Sequence, residues 1–141
     1  MPDNTRNWIN LPAGSSIEVS LSGPEGGYTA HADVVYTPPS SAIPPGSRQI
    51  PRKDLDPGPV VIRVPQGATV SATIYLIFLS STTITVEVHA VLKGPEGTVL
   101  DRLDTSASGK QGDGVAVVSV SATGLPVALA AAAQNVVENV T

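Results

Sequence analysis

The chain has no cysteine among its 141 residues. That removes a disulfide framework, a thiol nucleophile and thiolate-bound zinc. Charge is scarce as well: 14% of residues are Asp, Glu, Lys or Arg, against about 25% in an ordinary soluble domain. Low charge points to a surface hidden in an assembly. Aromatic residues are few, with one Trp, three Tyr and one Phe. The apolar run Ile74 to Leu79 is too short to cross a bilayer as a helix. The opening Met-Pro-Asp-Asn-Thr-Arg lacks the apolar core of a secretory signal. The expectation is cytoplasmic synthesis with no membrane insertion.

The formal net charge is −4, from 8 basic and 12 acidic residues. Nucleic-acid binding needs a clustered basic surface that releases counterions from phosphates. Here Arg48, Arg52 and Lys53 form the only basic group, and Asp54 and Asp56 follow directly. No nucleic-acid partner is expected.

The chain length suits a single domain spanning residues 1–141. Hydrophobicity alternates with a period of two nearly throughout. In SSIEVSLSG, the residues Ile17, Val19 and Leu21 share one face; in YTAHADVVY, so do Tyr28, Ala30, Ala32, Val34 and Tyr36. A GPEGG turn joins the two runs and predicts a hairpin. VVIRV and ATVSATIYLIFLS follow, and TTITVEVHAVL then alternates most cleanly, from Ile84 to Leu92. A second GPEG, a further run TVLDRLDTSA, a Gly-rich SGKQGDG and the run VAVVSVSA complete the series. The two GPEG segments raise the alternative of a weak duplication, two similar hairpins in opposed sheets. Short strands at regular spacing predict an all-β fold, an antiparallel β-sandwich of jelly-roll or immunoglobulin-like type. The tail over residues 125–141 carries Pro126 in a first-turn position and an alanine run, and predicts a short helix.

Two features stand apart. Residues 37–59 hold seven prolines in twenty-three residues, a stretch longer than the 12–15 residues that a structureless loop usually reaches (about that range). Proline removes amide donors and favours extended polyproline II, so this stretch reads as a stiff arm. Ile43, Ile50 and Leu55 are spaced along it as apolar anchors, with Arg52 among its polar contacts. The second feature is the run Thr69 to Leu79, whose outward face turns apolar at Tyr75, Ile77 and Leu79. A strand that is apolar on both sides needs a cover. Together these features suggest that the arm of one copy covers the apolar strand of another.

Candidate chemistry is sparse, and no residue pattern implies a cofactor. His31 with Asp33, and Glu87 with His89, are i, i+2 pairs that could bind a metal or do acid–base work if two neighbouring strands carry them. The plainer reading is a polar face on two ordinary strands. Asp101, Asp104 and Asp113 lack the density of a calcium loop. No G-x-S-x-G elbow and no phosphate-binding loop occurs. Trp8 is either a stacking platform for a sugar or a plug for one end of the fold. Asn139 fits the glycosylation pattern, which carries no meaning without a secretory signal. The leading expectation is a non-enzymatic structural protein that self-assembles or decorates a larger particle, such as a virion. A glycan-binding module built on Trp8 comes second, and a metal-dependent enzyme built on the His and acid pairs third.

Overall fold

Residues 4–38 and 45–125 are described by a computed structural model. Alternation in the sequence becomes alternation in burial: along Ile84–Lys93 the inward Val86, Val88 and Ala90 are fully buried, while Thr85 and Glu87 are exposed. The chain is all-β. Among the described residues the strands run β1 (Thr5–Leu11), β2 (Ser16–Ser22), β3 (Tyr28–Thr37) and β4 (Gly46–Pro51). A single helical turn, α1 (Arg52–Leu55), precedes β5 (Val60–Arg63), β6 (Thr69–Phe78), β7 (Ile84–Lys93), β8 (Val99–Gly109) and β9 (Val115–Gly124). They form two sheets. Sheet A has the order β1-β9-β6-β3-β4, and sheet B the order β5-β2-β7-β8. Inward residues of both belong to one hydrophobic core, with Ile74, Leu76, Val118 and Val120 from sheet A and Ile17, Val19, Val88 and Leu103 from sheet B.

Three local expectations are corrected by this topology. Strands β2 and β3 do not form a hairpin: β2 pairs with β5 and β7, and β3 with β4 and β6. The first GPEG turn carries the chain from one sheet to the other, whereas the second joins β7 and β8 as a true hairpin. The two turns close one residue out of step: Gly27 N–H, just past the first motif, donates to the Pro24 carbonyl, whereas Gly97 N–H, inside the second, donates to that of Gly94. The flanks differ as well. At Gly23 an added Cβ would lie 2.8 Å from the Tyr28 ring, and at Gly27 3.0 Å from Ile84. The corner therefore packs directly against core side chains, and the matching position after the second turn is Thr98. The duplication of hairpins does not hold.

Sheet A is also not wholly antiparallel, since β1 runs parallel to β9, with Thr5 opposite Ser119 and Trp8 opposite Ala122. Trp8 thus sits on a strand, where the sequence shows only a polar segment.

The proline stretch is the third correction. Its Gly46–Pro51 portion pairs with β3, placing Ile50 opposite Ala32 and Arg48 opposite Val34. An edge strand needs amide donors on one side only, and Pro51 falls at its last position. The chain then makes the α1 turn, closed by the Asp56 N–H donating to the Arg52 carbonyl at 2.8 Å. The peptide bonds before Pro57 and Pro59 are cis. Ile50 and Leu55 are 1% and 0% exposed, inside this chain's own core. They cannot anchor an arm on a neighbour. Ile43 and the tail after Leu125 lie outside the described residues.

Both open sides of the core are closed by polar contacts over apolar plugs. On the α1 side the Tyr28 hydroxyl donates to Asp56 Oδ2 at 2.5 Å. The Arg52 guanidinium lies 5.3 Å over the Tyr28 ring and 3.7 Å from the Asp56 carboxylate. On the other side Trp8 Nε1 donates to Asp101 Oδ2 at 2.7 Å, tying an edge of sheet A to an edge of sheet B.

Burial, and then the bond to Asp56, push the Tyr28 phenol up to about 12 from its ordinary 10.0. A folded pKa above the unfolded one means stability that is present below pH 10 and lost as pH rises towards the folded value. Tyr28→Phe should lower stability by about 1–3 kcal/mol at neutral pH, because it deletes a hydrogen bond to a charged group. In an alkaline absorbance titration it should also remove the late phenolate signal, and an unchanged titration would disprove the assignment.

Candidate functional site

The two sheets present very different outer faces. Sheet B carries Glu18, Arg63, Glu87, Lys93, Arg102 and Asp104 outward. Lys93 reaches Glu18 at 2.5 Å, and Asp104 takes both Arg102 at 2.6 Å and His89 Nδ1 at 2.6 Å. The Arg102 guanidinium, followed by the His89 ring, holds the Asp104 carboxyl below the usual carboxylate range. The ionic groups share this sheet with exposed Val61, Val99 and Leu100.

The outer face of sheet A has almost no charge. Its central strands β6 and β9 pair antiparallel, and their outward residues fall in rows: Thr69 opposite Thr123, Ser71 opposite Ser121, Thr73 opposite Ser119, Tyr75 opposite Val117, Ile77 opposite Val115. No row holds a carboxylate, an amine, a guanidinium or an imidazole. Polarity switches midway along both strands, from hydroxyl to apolar, and the antiparallel register sets the two apolar halves side by side. Ile77, Val115 and Val117 are 41%, 54% and 43% exposed, and Leu79 extends the patch at 47%. The neighbouring β3 contributes Thr29 opposite Ile77 and His31 opposite Tyr75. The His31 and Tyr75 rings stack with centroids 5.0 Å apart.

Two further features border the patch. Asp33 lies one row on from His31, its Oδ1 3.8 Å from His31 Nε2; that oxygen is buried and has no hydrogen-bond partner among the described residues. A cleft of about 590 Å³ opens between β3 and α1, lined by Thr29, His31, Gln49, Pro51, Arg52 and Lys53. Arg52 is already engaged by Tyr28 and Asp56, so Lys53 is the cation that the cleft offers to solvent.

The residues expected from sequence are distributed unevenly. Tyr75, Ile77 and Leu79 come together on this face. Ile50 and Leu55 are withdrawn into the core, and Arg52 is fastened beside them. His31 and Asp33 occupy the outer face of sheet A, whereas Glu87 and His89 occupy that of sheet B. The core separates the two pairs, so they cannot form one metal or acid–base site. Among the described residues no group of three or more His, Cys, Asp or Glu could hold a metal ion. Trp8 is 7% exposed with its indole N–H bonded to Asp101, so no open ring face is left for a sugar. Among the described residues no helix is long and apolar enough to cross a membrane.

Val115 and Val117 are the part of the patch that sequence reasoning missed. Their signal was present: in VAVVSVS the alternate residues Val115, Val117, Ser119 and Ser121 repeat, in reverse, the hydroxyl-to-apolar switch of β6. No family model matches the chain, and no curated protein or solved structure matches it either.

The Asp101 carboxyl lies below its usual range, chiefly through the bond from Trp8. A depressed folded pKa gives stability that is present above the ordinary carboxylate value and lost as pH falls through the folded one. Acidification from about pH 5 to about pH 3 should therefore destabilise the protein, and Asp101→Asn should flatten that loss. Denaturation midpoints followed by Trp8 emission, the single indole in the chain, read this directly. An Asn variant with the full acid sensitivity would refute it.

Proposed function

We propose that this is a non-enzymatic structural protein whose task is to assemble through the outer face of sheet A. The observation that carries this reading is the asymmetry of charge between the two faces: one is laced with ion pairs, and the other has uncharged β6–β9 rows that end in exposed Ile77, Val115 and Val117. Contiguous apolar surface of this kind is what proteins cover with a partner. The low overall charge noticed in the sequence is thereby concentrated where an interface would need it. In the same reading the two sheets stack as a β-sandwich, jelly-roll-like or immunoglobulin-like in type. The single shared core supports this, as does a chain that changes sheet at every connection except β3–β4 and β7–β8. A subunit of a larger particle, a virion among them, is one setting in which such a face is used.

The glycan-binding and metal-enzyme readings lose their residues to the geometry described above. A buried Trp8 offers no platform, and the two His–acid pairs lie on opposite surfaces. Neither is favoured by a specific observation.

Mass in solution tests the proposal. The wild-type chain should scatter light as an oligomer. Ile77→Lys and Val117→Lys should weaken association by about 2 kcal/mol each, roughly thirtyfold in dissociation constant. Because both positions are exposed, the denaturation midpoint of the monomer should barely move. Thr85→Lys, on the outer face of sheet B, should assemble normally. A wild-type chain that stays monomeric at every soluble concentration would rule the proposal out.

A further inference from the structure

We infer that the partner on this face is a second copy of the chain, packed sheet A to sheet A about a two-fold axis that runs along the β6–β9 pair. The inference rests on the assembly reading above and names its occupant. Size agrees first. Each strand residue covers about 3.3 Å by about 4.8 Å of sheet. The four strands that this packing overlays, of 7, 10, 10 and 10 residues, then offer about 600 Å², at the lower end of the roughly 600–1,000 Å² per partner of a standard interface.

Charge agrees second. Self-association places every group over the same surface on another copy, so a charged face repels itself. On sheet A the β6 and β9 rows are neutral, and Asp33, off the axis on β3, is carried away from its own equivalent.

Polarity then selects the axis. A rotation about a line across the strands would lay Tyr75 and Ile77 over the hydroxyl rows at Ser71 and Ser121. That would strip water from hydroxyls and offer them only hydrocarbon in return. A rotation about a line along the strands lays β6 on β9 of the second copy, so that Ile77 meets Val115 and Tyr75 meets Val117. Apolar covers apolar, and the hydroxyl rows meet each other at the far end, where they can bond across or keep water. The same rotation lays β3 over β1 of the second copy.

The absence of cysteine makes the test direct, because an introduced thiol is unique. Val117→Cys lies beside the axis and, treated with a bis-maleimide whose span of about 10 Å matches the spacing of packed sheets, should convert at least half of the protein to a covalently linked dimer. Mixing Ile77→Cys with Val115→Cys should give mixed dimers in preference to either self-linked product. Thr85→Cys on sheet B should stay unlinked. Trp8 emission identical to wild type confirms that each variant is folded. If light scattering finds an oligomer but Val117→Cys remains unlinked, or if Thr85→Cys links equally, the two-fold packing is wrong while the assembly reading stands. A monomeric wild-type chain removes both.

Discussion

The core between the two sheets admits only alternate residues of each strand, and everything that faces outward is what that constraint leaves over. On β7 and β8 the leftover positions are Glu87, His89, Arg102 and Asp104, which bond to one another and to water. On β6 and β9 the same alternation leaves Tyr75, Ile77, Val115 and Val117. A residue shift of one in either strand would exchange its core set for its surface set, so the register is held by the burial of Ile74, Leu76, Val118 and Val120. The apolar patch is thus fixed in position by side chains that do not belong to it.

Closing the core at its sides is a separate problem, because two packed sheets leave two open flanks. This chain uses one device twice: a large aromatic residue carries hydrocarbon inward and turns its polar atom to a carboxylate at the rim. Trp8 does so with Asp101, and Tyr28 with Asp56. Each bond is charge-assisted and joins residues far apart in sequence, 93 and 28 positions respectively. The prolines around α1 serve this closure. They flank Leu55, which is fully buried, and ask for no amide acceptor of their own.

Much of the fold was legible because strand periodicity is local. Strands β2, β3, β6 and β7, with their inward faces, follow from alternation alone, as does the all-β class. Strand partners do not, because pairing is set by contacts distant in sequence. A GPEG turn says that the chain reverses; whether it stays in its sheet depends on Gly27 against Thr98 and on Tyr28 fitting over Gly23. The proline stretch misled for a related reason, since seven prolines obscure the four residues Ser47 to Ile50 that suffice for an edge strand. Half of the patch, Tyr75, Ile77 and Leu79, was visible as a strand apolar on both sides. Its other half needed the β6–β9 register. The two His–acid pairs looked combinable only while the strand order was unknown.

Strand β1 pairs with β9, and the Leu125 N–H donates to the Leu11 carbonyl. The first strand described therefore finds its only ladder partner some 114 residues later, at the Asn7–Ser121 contact. During synthesis, β1 must wait for β9 to leave the ribosome before its ladder can form, and so must the aromatic plug it carries. Such non-local closure places this fold among the slowly folding topologies.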